Sequence, residues 1–132
     1  MWLTLIQSKC CLWQLARALS QKIYPLTFLN PIAKDFRYKD QLRGSCGSIM
    51  DNIAEEFERG SRLEFINSLT IAKGEAGELK LQFYRGLDNQ YLAPELFEEL
   101  YALVNQITKM LTGFINYLNK SAIKGQKFKE RH

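Results

Sequence analysis

Two groups of cations are the side chains in this sequence best equipped to act on a partner. Lys120, Lys124, Lys127, Lys129 and Arg131 crowd the end of the chain, with Phe128 between the charges. Further up, Lys34, Arg37, Lys39 and Arg43 are interleaved with Phe36 and Tyr38. Lysine and arginine neutralise phosphates and displace counterions without reading base sequence, and an aromatic ring among them offers a stacking face. These residues are therefore the candidate contacts for RNA or DNA. The competing reading is a solubilising tail and an ordinary solvated helix start, and both stand at this point.

Groups suited to making and breaking bonds are sparse. The one histidine, His132, is the final residue, and a Cys–His or Ser–His pair would need it folded back into a pocket. No Glu-x-x-His pair, zinc spacing or glycine-rich strand-to-helix loop occurs, so no cofactor or metal is expected. Glu55 and Glu78 could in principle exchange protons with a substrate, but no third group accompanies them, and a protein without catalytic activity is expected. More informative is a row of Ser48, Asn52, Glu55 and Arg59 at steps of four, three and four. It is either a solvated face or a partly buried polar seam between helices or subunits, with Glu78 as a further member. Such a seam must be hydrogen-bonded within itself and would fix the geometry of whatever it joins.

Charge is distributed unevenly. The net formal charge of +4 divides into +5 over residues 1–45, −5 over residues 46–119 and +4 over residues 120–132. The body is neutral overall but polarised, and the excess sits in the tail. Three cysteines, Cys10, Cys11 and Cys46, have neither disulfide-framework nor metal spacing and suit a reducing cytoplasm. Cys46 reads as a small core residue. The opening Met1-Trp2-Leu3-Thr4-Leu5-Ile6 is apolar but short and lacks a basic flank, so neither a signal peptide nor a membrane span is expected.

Helices must carry these side chains, because no segment alternates with a period of two over any useful length. The clearest stretch is Gln41 to Gln82. Leu42, Cys46, Ile49, Ile53 and Phe57 form one apolar stripe, and Phe65, Leu69, Ala72, Ala76, Leu79 and Phe83 form another. Between them Arg59-Gly60-Ser61 reads as a break, with Gly60 ending one helix and Ser61 and Glu64 forming a capping box for the next. So short a connection predicts an antiparallel hairpin. Glycines 44, 47, 74 and 77 lie inside these helices, where close helix approach would explain their cost. Ile66, Leu81 and Tyr84 fall off the stripe and are expected as exposed subunit contacts.

A first helix is predicted from Lys9 to about Phe28, stopped or kinked near Pro25, and Asp35 is the expected N-cap of the second. Gly86 and Asp88-Asn89-Gln90 should end the third. Pro94 opens a fourth with the stripe Leu96, Leu100, Leu103, Ile107, Met110 with Leu111, Phe114 and Leu118. The fold class is all-α: an antiparallel up-and-down four-helix bundle over residues 1–119 and a flexible basic tail over residues 120–132.

Particular residues also carry a family likeness. Gln41-Leu42-Arg43, Ser48-Ile49, Asn52-Ile53-Ala54-Glu55, Phe57, Arg59, Glu64-Phe65, Leu69, Ile71-Ala72, Gly74 and Glu78 resemble the signature of the bacterial 23S rRNA intervening-sequence proteins. Trp13-Gln14-Leu15-Ala16 with Ile23-Tyr24 resembles that family's first helix, and Leu100 to Leu118 its last, so the likeness covers about residues 12–119. It implies an up-and-down four-helix bundle forming a homopentameric ring. Through a related accessory protein of diversity-generating retroelements, it also implies nucleic acid and a reverse transcriptase as partners. Gly44, Ser45, Glu56 and Glu58 depart from the family pattern and make the hairpin tip less basic. The expected function is thus a ring-forming adaptor or scaffold that binds RNA or DNA with little sequence preference. The alternative is a protein-interaction module for a mobile-element protein such as a reverse transcriptase.

Overall fold

Long apolar stripes separated by turn signals produce four helices in a computed structural model that describes the backbone of residues 2–55 and 62–130 and the side chains of residues 9–55 and 62–120. The helices are α1 (Trp2–Ile23), α2 (Phe36–Ala54), α3 (Arg62–Asp88) and α4 (Pro94–Glu130), and no strand occurs among the described residues. Helix α2 packs on α1 and α3, and α4 closes the bundle against α3 and α1. The up-and-down four-helix architecture follows.

Local chemistry sets the boundaries. Helix α1 ends at Ile23 and the chain tightens into a 3-10 turn over Tyr24–Phe28 that contains Pro25, whose missing N–H cannot continue the α-helical ladder. A second 3-10 turn, Ile32–Lys34, leads into Asp35, whose side chain accepts from the Tyr38 N–H and caps α2. Helix α2 stops sooner than the predicted break. Glu55 leaves the helical region at φ −50° and ψ 129°, and its carbonyl accepts from the Lys9 ammonium at 2.8 Å. Phe57, Arg59, Gly60 and Ser61, and with them the expected capping box, lie outside the described residues. Helix α4 begins at Pro94 as expected and takes in the backbone of much of the basic tail.

The core contains the stripes predicted on α2 and α3, Leu42, Cys46, Ile49 and Ile53 from the first and Phe65, Leu69, Ala72, Ala76, Leu79 and Phe83 from the second, together with Leu12, Ala16, Leu19 and Ile23 from α1, where Leu15 is only partly buried. On α4 the stripe is turned slightly from the predicted one. Val104 and Leu111 are fully buried, while Leu103 and Met110 are only partly so. Ile66, expected on the surface, is buried. It lies five turns along α3 from Tyr84, on the side facing α4, where Tyr84 itself meets the rings of Phe97 and Tyr101. Burial pushes the Cys46 thiol up to about 12, as expected of an inert core cysteine.

The glycines behave differently from expectation. A Cβ at Gly44, Gly47, Gly74 or Gly77 would meet nothing within 4 Å, so none of them lets two helices of one chain approach. The close approach occurs at Gly86, in the last turn of α3, where Tyr38 and Leu92 press on the backbone. The left-handed residue of the α3–α4 connection is Gln90, at φ 61°. Gly86 still helps to end α3, because its carbonyl accepts from the N–H groups of Tyr91 and Leu92.

Candidate nucleic-acid interface

The start of α2 gathers four of the predicted cations at one end of the bundle. Lys34 ends the second 3-10 turn, and Arg37, Lys39 and Arg43 follow on α2. Asp35 holds the junction. Its two carboxylate oxygens accept from the Tyr38 N–H at 3.1 Å and the Tyr91 hydroxyl at 2.7 Å. The Tyr91 hydrogen bond, then the Tyr38 amide, lower the Asp35 pKa below its ordinary 3.8, with Arg85 adding to the effect and desolvation opposing it. A group with a lowered native pKa contributes stability above its unfolded value, and that contribution disappears as pH falls through the native one. Asp35→Asn keeps a capping amide but loses the charge. Its melting temperature should lie below wild type at neutral pH, and the two curves should converge in acid. A gap that stays constant down to about pH 2 would assign Asp35 no electrostatic role.

The four cations have different fates. Lys34 and Arg37 are exposed. Arg37 lines a shallow pocket of about 300 Å³ with Asp35, Tyr38, Gln41, Arg85 and Asn89, and Arg85 there donates to Gln41 at 2.9 Å. The Lys39 ammonium lies 4.8 Å from the Phe36 ring centre. Arg43 is the most constrained. Its Nε donates to the Thr27 hydroxyl at 2.8 Å, and its guanidinium sits 4.6 Å from the Tyr24 ring and 4.8 Å from Phe28. Arg43 therefore braces the first 3-10 turn against α2. Sequence reading missed the rings of Tyr24 and Phe28, because nothing local shows that the turn folds back onto Arg43.

The second cation group lies elsewhere. Lys120 is exposed on α4, 26 residues beyond Pro94, which is about 39 Å along a helix. Pro94 is at the same end as Asp35, as the Tyr91–Asp35 bond shows. Within one chain, then, Lys120 is not brought to the first group. The side chains of Lys124, Lys127, Lys129 and Phe128, and residues Arg131 and His132 entirely, lie outside the described residues.

The polar row on α2 lies along its boundary with α3. Gln41 bonds to Arg85 and Ser45 to Gln82, a register that sets Ser48 level with Glu78. Ser48 and Asn52 are half-buried, and Asn52 donates to the Ser48 carbonyl at 2.8 Å and hydroxyl at 3.2 Å. Glu55 and Glu78 are both exposed. The register leaves Glu55 about 10 Å further along the hairpin than Glu78, so the two carboxylates do not share a site. Arg59 lies outside the described residues. Among those residues, no group of three or more His, Cys, Asp and Glu side chains could hold a metal ion. No described helix is long and apolar enough to cross a membrane.

Comparison with known proteins gives a consistent picture. The family model described as 23S rRNA-intervening sequence protein matches residues 8–113. A crystal structure from Bacteroides thetaiotaomicron VPI-5482, of a protein with unknown function from the S23 ribosomal protein family, superposes with a TM-score of 0.75 at 27% identity. The alignment covers 83% of this chain and 98% of that one. No curated protein matches the chain.

Proposed function

Because the chain belongs to the 23S rRNA-intervening sequence protein family, we propose that it is a non-enzymatic, cytoplasmic bundle that assembles into a ring and binds RNA or DNA with little sequence preference. The observation carrying this reading is the gathering of Lys34, Arg37, Lys39 and Arg43 at one end of the fold, against only Asp35 and Asp40 between them. Such a cluster attracts phosphates and displaces counterions. One chain at +4 makes a modest field, whereas five copies would carry five times that charge and present five such ends together.

Assembly is supported by the outer side of the central hairpin. Leu63, Ile71 and Leu81 are 59%, 52% and 60% exposed. They share that side of α3 with Gly74 and Glu78 at helical spacing, next to the half-buried Ser48 and Asn52. An apolar strip with polar groups beside it and glycines opening space is the composition of a subunit contact. The same face favours a second reading, docking of a mobile-element protein such as a reverse transcriptase. Co-purification with a neighbouring gene's product would detect it.

The deciding experiment measures affinity for RNA and DNA against salt, for the full chain and for a form ending at Asn119. Both should bind at low salt, with log affinity falling linearly with log salt. The shorter form should show a shallower slope by just under one for each tail cation that touches phosphate. Failure of both forms at low salt rejects the nucleic-acid reading.

A further inference from the structure

We propose that Tyr24, Phe28 and Phe36 form a stacking platform for unpaired bases, so that the nucleic acid held at this end of the bundle is single-stranded. The proposal rests on the nucleic-acid reading given above and adds the form of nucleic acid to it. These rings are 46%, 65% and 69% exposed, and Leu29 beside them is 60% exposed. Scattered apolar side chains on a surface are ordinary, but three rings within one short region need a reason to stay uncovered.

Each ring has a cation against it. Arg43 lies over both Tyr24 and Phe28, and Lys39 lies over Phe36. Phe36, Lys39 and Arg43 are spaced i, i+3 and i+7 and so share one face of α2. Tyr24 and Phe28 meet edge to face at 5.6 Å, and the Arg43–Thr27 bond holds the turn that carries them. Tyr24 and Phe28 are thus set in place before any ligand arrives. A cation beside a ring does not cover all of its surface. What remains suits a flat, weakly polar group attached to a negatively charged backbone that the neighbouring cations can meet. An unpaired nucleotide has both features. In a duplex the base faces are stacked on one another and only the phosphates are offered, so these rings would add nothing to its binding.

The test uses the full chain, wild type and Phe28→Ala/Phe36→Ala, with a labelled single-stranded RNA of mixed sequence and a blunt duplex of the same length. Wild type should prefer the single strand. The double variant should lose about tenfold or more of single-strand affinity while its salt slope and duplex affinity stay unchanged, because no charge has been removed. Lys34→Gln/Lys39→Gln should do the converse, weakening both forms and flattening the slope. Sedimentation and circular dichroism of the ring variant should match wild type. Equal wild-type affinity for both forms, or full retention of single-strand affinity by the ring variant, overturns the platform while leaving nucleic-acid binding intact. A fall in assembly mass at unchanged affinity also overturns it and assigns the rings to a contact between copies. Wild type that binds neither form rejects this proposal together with the reading on which it rests.

Discussion

Phe83→Ala is expected to lower the unfolding free energy by about 3–5 kcal/mol, while Leu81→Ala leaves that of the isolated chain within about 0.5 kcal/mol. The two residues are near neighbours on α3 and differ in phase. Phe83 is 1% exposed and among the largest fully buried side chains, whereas Leu81 is 60% exposed on the outer side of the hairpin. Removing the Phe83 ring forfeits its transfer energy and leaves a cavity that rigid helices fill only in part. For a domain with about 5–15 kcal/mol of stability in total, that is a large share. Urea unfolding followed by helical circular dichroism at low protein concentration measures both effects. Comparable losses for the two variants would mean that α3 is turned so that Leu81, too, faces the core. At concentrations where copies associate, Leu81→Ala should instead reduce the assembled mass, which separates a contact between subunits from the core.

The stripes and stops of the bundle are legible in the sequence because they depend on local periodicity and on residues with one strong preference. Pro25, Asp35 and Pro94 each act within a turn of where they stand, and each marks the boundary predicted for it. Partly buried polar residues are harder to read. Ser45 and Gln82 are buried side by side with a 3.2 Å hydrogen bond, and Tyr38 donates to the Gln82 carbonyl at 2.6 Å. In sequence these look like residues of a solvated face, since a polar side chain one position off the stripe gives no sign of its partner on another helix. Val104 in place of Leu103 as the buried residue of α4 has a similar cause, because adjacent apolar residues leave the phase of a stripe ambiguous.

The candidate site divides along the same line. That Lys34, Arg37, Lys39 and Arg43 form one group was visible, since they are close in sequence. Two further properties depend on tertiary structure. Arg43 is committed to Thr27, Tyr24 and Phe28, and Lys120 lies toward the opposite end of α4.

Glycine substitutions should have opposite signs at different positions of the hairpin, and Gly86 gives the larger effect. At Gly44 and Gly74 an added methyl meets nothing within 4 Å, so Gly44→Ala and Gly74→Ala should each stabilise the isolated chain by up to about 1 kcal/mol through helix propensity. At Gly86 the same methyl would lie inside contact distance of the Tyr38 hydroxyl and 3.0 Å from Leu92 Cγ and Cδ1. Tyr38 cannot easily withdraw. It is 5% exposed, its hydroxyl is bonded to the Gln82 carbonyl, and its ring packs on Tyr91 at 5.2 Å. Gly86→Ala should therefore cost about 1–3 kcal/mol despite the gain in helix propensity, as overpacking does. Tyr38→Phe identifies the cause. It removes the obstructing oxygen at a cost of about 1 kcal/mol for the lost hydrogen bond. In that background the Gly86→Ala penalty should shrink, leaving only the contact with Leu92, and thermal unfolding of the four species gives the coupling directly. A penalty unchanged by Tyr38→Phe would place the obstruction at Leu92 alone. A stabilising Gly86→Ala would show that α2 and α3 do not approach each other as closely as Tyr38 requires.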